Sequence, residues 1–250
     1  MSALSGRVAL VTGGGRGIGA ATATLLASRG AKVAVNYVGR QSRAEDMVRA
    51  ITSAGGTALA VGADVRDAQQ VERMVGEVAD RWGSLDILVN NANMAFVMKP
   101  ISDMIWDEFS QKLNDEMRAA FYVTKAVTPW MEKNRYGRIV YVASGLAKRP
   151  GLRMAAHGTA KAALAQFARY VALEYGPKGI TANVISPGLV MTEATAFAPE
   201  EQLQRTAAMT PLGRLAEPED VANAIAMCVG DDSRFVTGAY IPVNGGVAME

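Results

Sequence analysis

The sequence predicts an α/β protein in which helices cover both faces of a parallel sheet. Short β-rich runs alternate with longer amphipathic segments along the whole chain, which is the order of parallel strands joined by helical crossovers. Runs such as VALVT and IVYVA have no polar face, so both sides of the sheet need a covering layer. We therefore expect a doubly wound sheet of about seven strands, with residues 1–250 forming a single domain.

The individual elements follow from these patterns. Runs rich in Val, Ile, Leu and Ala predict strands over residues 7–12, 32–37, 57–63, 85–90, 137–143, 180–185 and 239–243. Helical spacing of Ala, Leu, Val and Met predicts helices over residues 18–28, 43–54, 71–81, 106–131, 158–175 and 218–229. Residues 187–214 mix turn signals with a short helical stretch, and we expect a substrate-loop insertion there, over the carboxyl edge of the sheet.

Composition and charge favour small-molecule chemistry. Half of the 250 residues are hydrophobic, which excludes a disordered protein and a small disulfide scaffold. With 26 basic and 24 acidic residues and no long basic run, nothing predicts binding to nucleic acid or a membrane surface. The apolar run near the N-terminus is too short for a signal peptide or a membrane span, so we expect a cytoplasmic protein. Cys228 lies in an apolar stretch and is expected to be a buried core thiol.

A glycine-rich turn follows the first predicted strand directly. Residues 12–19 read TGGGRGIG and lead into an Ala-rich helix. Glycine permits a tight turn and lets the backbone approach a pyrophosphate at the positive end of a helix. A strand, a glycine turn and a helix in this order are typical of a Rossmann-type dinucleotide site. The cofactor-binding residues predicted here are Gly13, Gly15, Arg16, Gly17, Ile18 and Gly19.

The end of the second strand favours NADPH over NADH. It reads Asn36-Tyr37, two residues that we expect to contact the cofactor, without the carboxylate that would bind the two ribose hydroxyls of NAD. Arg16 in the turn and Arg40 just past the strand could bind a 2′-phosphate instead. The alternative for Arg40 is a solvated loop charge.

These residues resemble the short-chain dehydrogenases/reductases, in particular the branch of 3-oxoacyl-carrier-protein reductases. Further markers occur in the family's order, namely Asp64-Val65, Asn90-Asn91-Ala92, Ser186-Pro187-Gly188 with Thr192, and Thr237-Gly238 with Gly245-Gly246. The resemblance implies further cofactor contacts by Asp64, Val65, Asn91, Ala92, Lys161, Pro187, Gly188, Val190 and Thr192.

The resemblance also implies a catalytic site of Ser, Tyr and Lys, with a nearby Asn completing a proton relay. Ser144 and Lys161 match two of these positions, and Lys161 is implied to bind the nicotinamide ribose. The position of the Tyr holds His157, four residues before Lys161 on one helical face. The position of the Asn holds Glu116. No metal site is expected.

His157 changes the chemistry that the family pattern implies. A Tyr hydroxyl with a pKa of about 10 is protonated at neutral pH, whereas a His with a pKa of about 6.5 must first become imidazolium to act as an acid. Lys161 disfavours that cation, and Glu116 would offset it if its side chain faces the site. Ser144, His157 and Glu116 are therefore expected to form a rewired acid–base site. The alternatives are that His157 marks a site that lost its chemistry and that Glu116 is a solvated helix charge.

Apolar side chains follow the fourth, fifth and sixth strands and predict an apolar substrate pocket, with ordinary loop packing as the alternative. They are Met94, Phe96, Val97, Met98, Leu152, Met154 and Met191. Arg135 and Lys178 match positions at which the similar reductases dock acyl carrier protein, so the substrate could be bound to a carrier protein through a thioester.

The expected function is NADPH-dependent reduction of the carbonyl, or the imine, of an apolar substrate, with the proton coming from His157 or a relayed water. One alternative is a dehydratase, isomerase or cyclase that uses His157 and Glu116 as base and acid. Another is an inactive cofactor-binding subunit of a hetero-oligomer. The resemblance implies a homotetramer assembled through the helices over residues 106–131 and 158–175 and the last strand.

Overall fold

One parallel sheet organises the protein in the computed structural model, which describes residues 3–193, 195–196 and 198–249. Its strands are β1 (Val8–Val11), β2 (Lys32–Tyr37), β3 (Thr57–Gly62), β4 (Ile87–Asn90), β5 (Gly137–Val142), β6 (Ile180–Pro187) and β7 (Tyr240–Val243). They lie in the order β3-β2-β1-β4-β5-β6-β7, and every neighbouring pair is parallel. The order reverses between β1 and β4, which creates a crevice at the carboxyl ends of these two strands.

Helices cover both faces of this sheet. They are α1 (Gly17–Ser28), α2 (Gln41–Ser53), α3 (Ala68–Trp82), α4 (Trp106–Asn134), α5 (Ala155–Tyr175), α6 (Glu200–Met209) and α7 (Pro218–Val229). One hydrophobic cluster joins the sheet to α3, α4 and α5, and a second joins it to α1, α2 and α7. Alternate residues of β1 point to the two clusters, since Val8 and Leu10 lie in the first and Ala9 and Val11 in the second. The predicted doubly wound sheet is confirmed.

All predicted strand and helix boundaries lie within three residues of the observed ones. The largest differences are at the start of α3, at Ala68, at the end of α4, which continues to Asn134, and at the start of α5, at Ala155. The short helical stretch predicted in residues 187–214 is α6, while residues 194 and 197 of that segment lie outside the described residues. That this segment is a substrate-loop insertion stays a prediction.

Two smaller predictions can be compared directly with the structure. Cys228 is buried in the core, and burial raises the pKa of its thiol to about 11, as expected of an unreactive core cysteine. Within the described residues, none of the helices combines the length and the apolar character needed to cross a membrane.

The sheet core predicts the cost of a cavity. Leu88 in β4 is fully buried between the helical layers. Leu88→Ala is expected to lower the free energy of unfolding by about 3 kcal/mol, because it removes buried methyl groups and leaves a void. Urea denaturation measures this loss. The control Ile101→Ala, at a side chain 78% exposed, should cost less than about 0.5 kcal/mol, and equal losses for both variants would contradict the assignment of the core.

Candidate active site

A cavity of about 640 Å³ opens at the carboxyl edge of the sheet. The glycine turn, the residues that follow the strands β2 to β6 and the start of α5 contribute to its wall. All but one of the predicted cofactor-binding residues line it, namely Gly13, Gly15, Arg16, Gly17, Ile18, Asn36, Tyr37, Arg40, Asp64, Val65, Asn91, Ala92, Lys161, Pro187, Gly188, Val190 and Thr192. Ser144 and His157 line the same cavity, whereas Glu116 does not.

Gly19 is the predicted cofactor residue that does not line the cavity. It is buried at the start of α1, directly beneath the turn. A Cβ atom added to Gly19 would lie 2.4 Å from the carbonyl oxygen of Gly13 and 2.6 Å from Nδ2 of Asn91. Gly19 therefore allows close packing of the helix against the turn, rather than a direct contact with the cavity.

Two polar side chains fix the turn to its neighbours. Asn36 accepts a hydrogen bond from the Gly13 amide at 3.3 Å, and its Nδ2 donates to the carbonyl oxygen of Ala63 at 3.0 Å. Asn91 donates from Nδ2 to the carbonyl oxygen of Thr12 at 2.9 Å, and its amide donates to Oγ1 of Thr12. The amide group of Asn36 thus supports the turn through bonds to backbone, and a contact of Asn36 with the cofactor stays a prediction.

Arginine side chains gather at one end of the cavity. Arg16 and Arg40 are exposed there, as the NADPH prediction requires. Arg43, which the sequence interpretation missed, also lines the cavity, and its guanidinium lies 2.5 Å from a carboxylate oxygen of Glu193. The hydrogen bond from Arg43, assisted by the charges of Arg16 and Arg40, lowers the pKa of Glu193. The positive charges of three guanidinium groups therefore act on the Glu193 carboxylate.

His157 lies near the start of α5 and is 8% exposed. Its Nδ1 is buried without a hydrogen-bond partner among the described residues, so Nε2 is the ring nitrogen left to meet a substrate. The ring stacks on Phe96 with centroids 4.4 Å apart. Burial, together with the ammonium groups of Lys161 and Lys112, lowers the pKa of His157 to about 4. The imidazole is therefore neutral at neutral pH.

Glu116 binds two lysines instead of pairing with His157. Its Oε1 accepts a hydrogen bond from Nζ of Lys161 at 2.6 Å, and its Oε2 accepts one from Nζ of Lys112 at 2.5 Å. Burial acts to raise the pKa of Glu116, but the two ammonium groups outweigh it and lower the pKa. Glu116 faces inward, so the interpretation as a solvated helix charge is wrong. No hydrogen bond joins Glu116 to His157 in the structure, so the expected direct acid–base pair is also absent.

Lys112 is a second functional candidate that the sequence interpretation missed. It lies four residues before Glu116 on α4 and is 1% exposed. Its Nζ also donates to Oδ1 of Asn93 at 3.0 Å and to the carbonyl oxygen of Met94 at 2.9 Å. The spacing of Lys112 and Glu116 was a usable signal, since side chains four apart share a helix face. In a charged helical stretch, that spacing more often indicates a pair on the surface.

The substrate side differs from the predicted apolar pocket. Of the predicted residues, Met94 lines the cavity and Phe96 contacts His157. Met98, Leu152 and Met191 are 53%, 96% and 38% exposed. No group of three or more metal-binding side chains occurs within the described part of the chain.

Ser144 follows β5 at the edge of the cavity. Its Oγ accepts a hydrogen bond from the Leu146 amide at 3.3 Å, and its carbonyl oxygen accepts one from the Tyr240 hydroxyl at 2.9 Å. These bonds leave the Ser144 hydroxyl hydrogen available to a ligand.

Comparison with known proteins identifies the family. A family model described as "Enoyl-(Acyl carrier protein) reductase" matches residues 13–248. A solved short-chain dehydrogenase/reductase variant from Serratia marcescens is 34% identical with a TM-score of 0.91, over 99% of this chain and 100% of that one. The chain belongs to the short-chain dehydrogenase/reductase family. The fold and the oxidoreductase class predicted from the sequence agree with this membership.

Other members show how broad the similarity is. A 3-oxoacyl-[acyl-carrier-protein] reductase from Staphylococcus aureus is 34% identical, over 96% of this chain and 98% of that protein. A (2S)-[(R)-hydroxy(phenyl)methyl]succinyl-CoA dehydrogenase subunit from Thauera aromatica is 36% identical, over 98% of each chain. A dehydrogenase/reductase structure from Sinorhizobium meliloti is 35% identical with a TM-score of 0.90, over 99% of this chain and 97% of that one.

The environment of His157 predicts the pH dependence of stability. His157 is the single histidine of the chain, so NMR of the tag-free protein reports its titration directly, and we expect a pKa of about 4. An unfolded chain binds a proton at a pKa of about 6.5 that the folded chain does not, so the free energy of unfolding should fall by about 2 kcal/mol from pH 7 to pH 5. In His157→Gln, this dependence should flatten between these pH values. A measured pKa of about 6.5 with no such fall would contradict the burial described here.

Proposed function

We propose that the protein is an NADPH-dependent reductase of the carbonyl, or the imine, of an apolar substrate, with Ser144, His157 and Lys161 at the reacting centre. The observation that carries this proposal is that these three side chains line the same cavity as the glycine turn. His157 takes the position of the family's catalytic Tyr in this proposal. Glu116 acts behind Lys161 rather than on the substrate.

The residues of the cavity fit a phosphorylated dinucleotide. The glycine turn and the start of α1 offer backbone N–H groups to a pyrophosphate, and Arg16, Arg40 and Arg43 offer guanidinium groups to a 2′-phosphate. Among the described residues, Lys161 gives two of its three N–H groups to Glu116 and the carbonyl oxygen of Val142. The third can bind a ribose hydroxyl. When bound, the reduced nicotinamide supplies the hydride.

The polar side chains of the cavity would hold the carbonyl oxygen of a substrate. The Ser144 hydroxyl and, in the tautomer protonated on Nε2, the His157 N–H would donate to that oxygen. A neutral imidazole is a poor proton donor, and no donor lies behind the buried Nδ1 within the described residues. Of the two predicted proton sources, the structure therefore favours a water in the open cavity. That water would give its proton to the oxygen, and the hydroxide left behind would take a proton from bulk solvent.

The substrate and the assembly remain parts of the proposal. Met94 and Phe96 give the reacting end an apolar surface. A thioester-linked substrate is supported by the name of the Staphylococcus aureus relative. It is also supported by the position of Arg135, which donates to the carbonyl oxygen of Pro177 and so lies close to Lys178. Exposed apolar side chains on α4 and α5 support a homotetramer, among them Phe121, Tyr170 and Leu173.

A second function has one observation in its favour. His157 is neutral and its Nδ1 has no partner among the described residues, which suits a cofactor-binding subunit that leaves catalysis to a homologous chain. The name of the Thauera aromatica relative, a dehydrogenase subunit, agrees with that possibility. The dehydratase, isomerase or cyclase alternative loses support, because Glu116 does not reach the cavity.

Arg16 provides a test of cofactor choice. Arg16→Ala should weaken NADPH binding by about 10-fold or more, since a charge-assisted contact to a phosphate contributes about 1.5–3 kcal/mol, while NADH binding changes little. Quenching of protein fluorescence by each dinucleotide measures both affinities. Arg29→Ala, at the far end of α1 and away from the cavity, serves as the matched control. Equal weakening for both dinucleotides would show that Arg16 does not recognise the 2′-phosphate.

The pH profile tests the role of His157. The wild type should reduce apolar ketones with a kcat that changes less than about 3-fold from pH 5.5 to pH 8, because His157 stays neutral over this range. His157→Phe should lower kcat by about 10-fold or more, since it removes the hydrogen bond to the substrate oxygen. NADPH absorbance follows both. A wild type that is silent on a ketone panel on which His157→Tyr is active would favour the subunit function instead.

A further inference from the structure

Three buried charged side chains form a cluster at the wall of the cavity, where Lys161 lines it and Lys112 and Glu116 lie behind Lys161. Lys112, Glu116 and Lys161 are 1%, 4% and 3% exposed, and Glu116 bridges the two ammonium groups. We call these three residues the lysine–glutamate cluster. Its hydrogen bonds connect α4 with α5, with the end of β5 through Val142 and with the segment after β4 through Met94.

The hydrogen-bond partners define the charge of the cluster. Lys112 donates to the three acceptor atoms of Glu116, Asn93 and Met94, which requires an ammonium group with three hydrogens. Glu116 accepts from a lysine at each oxygen and is therefore a carboxylate. Two ammonium groups and one carboxylate give the cluster one net positive charge.

Stability alone does not account for this arrangement. Removing ions from water costs several kcal/mol per ion, and buried ion pairs are often no more stable than apolar side chains of similar volume. Lys161 reaches the cavity, while Lys112 and Glu116 lie behind it. Two of the three charged side chains, Lys112 and Glu116, are therefore buried next to the cavity without lining it.

We propose that Lys112 and Glu116 are positioning residues, in which Glu116 fixes the Lys161 ammonium with one N–H toward the cavity and Lys112 holds Glu116 and keeps a net positive charge beside His157. The part that concerns Lys161 rests on the proposed function, since it assumes that the cavity binds a dinucleotide. Lys112 is the residue to which this proposal assigns a role for the first time.

The surroundings of His157 show why the net charge matters. The charged groups that act on the imidazole are the ammonium groups of Lys161 and Lys112 and the carboxylate of Glu116. Phe96 covers the ring by stacking, so water does not screen that face. A net positive charge here opposes the imidazolium form, and it would stabilise negative charge that develops on a substrate oxygen.

Variants that change the charge of the cluster should shift the pKa of His157 in opposite directions. A cluster with a merely structural role would not produce such opposite shifts. Lys112→Met leaves a neutral Glu116–Lys161 pair and should raise the pKa of His157 above its wild-type value. Glu116→Gln leaves two ammonium groups without a carboxylate and should lower it further. The double variant restores one net positive charge, so the pKa of His157 should return toward that of the wild type.

The experiment is an NMR titration of the single histidine in the wild type and the three variants, combined with NADPH binding measured by fluorescence. Glu116→Gln and the double variant should each weaken NADPH binding by about 5-fold or more, because Lys161 loses its anchor, whereas Lys112→Met should weaken it less. The matched control is Lys99→Met. Lys99 pairs with Glu108 of α4, the helix that also carries Lys112 and Glu116, but the Lys99 side chain is 42% exposed. Removing this exposed charge should leave both the histidine pKa and NADPH binding unchanged.

The outcomes separate this inference from the proposed function. The same pKa of His157 in all four proteins, or unweakened NADPH binding in Glu116→Gln, would overturn the positioning role. Binding of no dinucleotide by the wild type would overturn the proposed function, while the order of the histidine pKa values would still decide the electrostatic role. If a single variant does not fold, the charge-balanced double variant decides, through a wild-type histidine pKa combined with weakened NADPH binding.

Discussion

The arrangement of the site depends on the buried ion pairs that the Glu116 carboxylate forms with two lysines. One side chain on α4 binds a lysine of α5 and a lysine of its own helix. Those lysines in turn bind backbone carbonyl oxygens at the end of β5 and after β4. Because each bond in this chain is buried and charge-assisted, the position of the Lys161 ammonium is fixed by neighbours and not by its own flexible side chain. Burial and the two ammonium groups keep His157 neutral by lowering its pKa, and the carboxylate opposes them only in part.

The fold is well specified by local sequence because the same pattern recurs along the chain. Strands β1, β2, β4, β5 and β6 are short, mostly apolar runs that are largely buried on both faces, and a helix with its own periodicity comes after each of them. The glycine turn could also be located, since residues 12–19 stand between a strand and a helix. Parallel pairing then brings the carboxyl ends of β1 and β4 together, which is why residues far apart in the chain line one cavity.

The partners of individual polar side chains were less predictable. The sequence indicated that Glu116 could lie at the site, but its hydrogen bonds depend on the packing of α4 against α5, which periodicity does not resolve. Lys112 was overlooked because a lysine on a charged helix is normally solvated. Asn36 was predicted as a cofactor contact, yet its amide group serves the backbone of the turn. In each case the deciding contact is between residues distant in sequence or buried against expectation.

In the proposed function, this family member performs a redox reaction with a neutral imidazole at its reacting centre. The most direct measurement is the fate of deuterium placed at the transferable C4 position of NADPH, followed by mass spectrometry after incubation of the wild type with a panel of apolar and thioester-linked ketones. Hydride transfer from NADPH should give a product alcohol that carries one deuterium on its carbinol carbon. Substrate conversion with the label retained on the cofactor would contradict it and would indicate non-redox chemistry in this cavity.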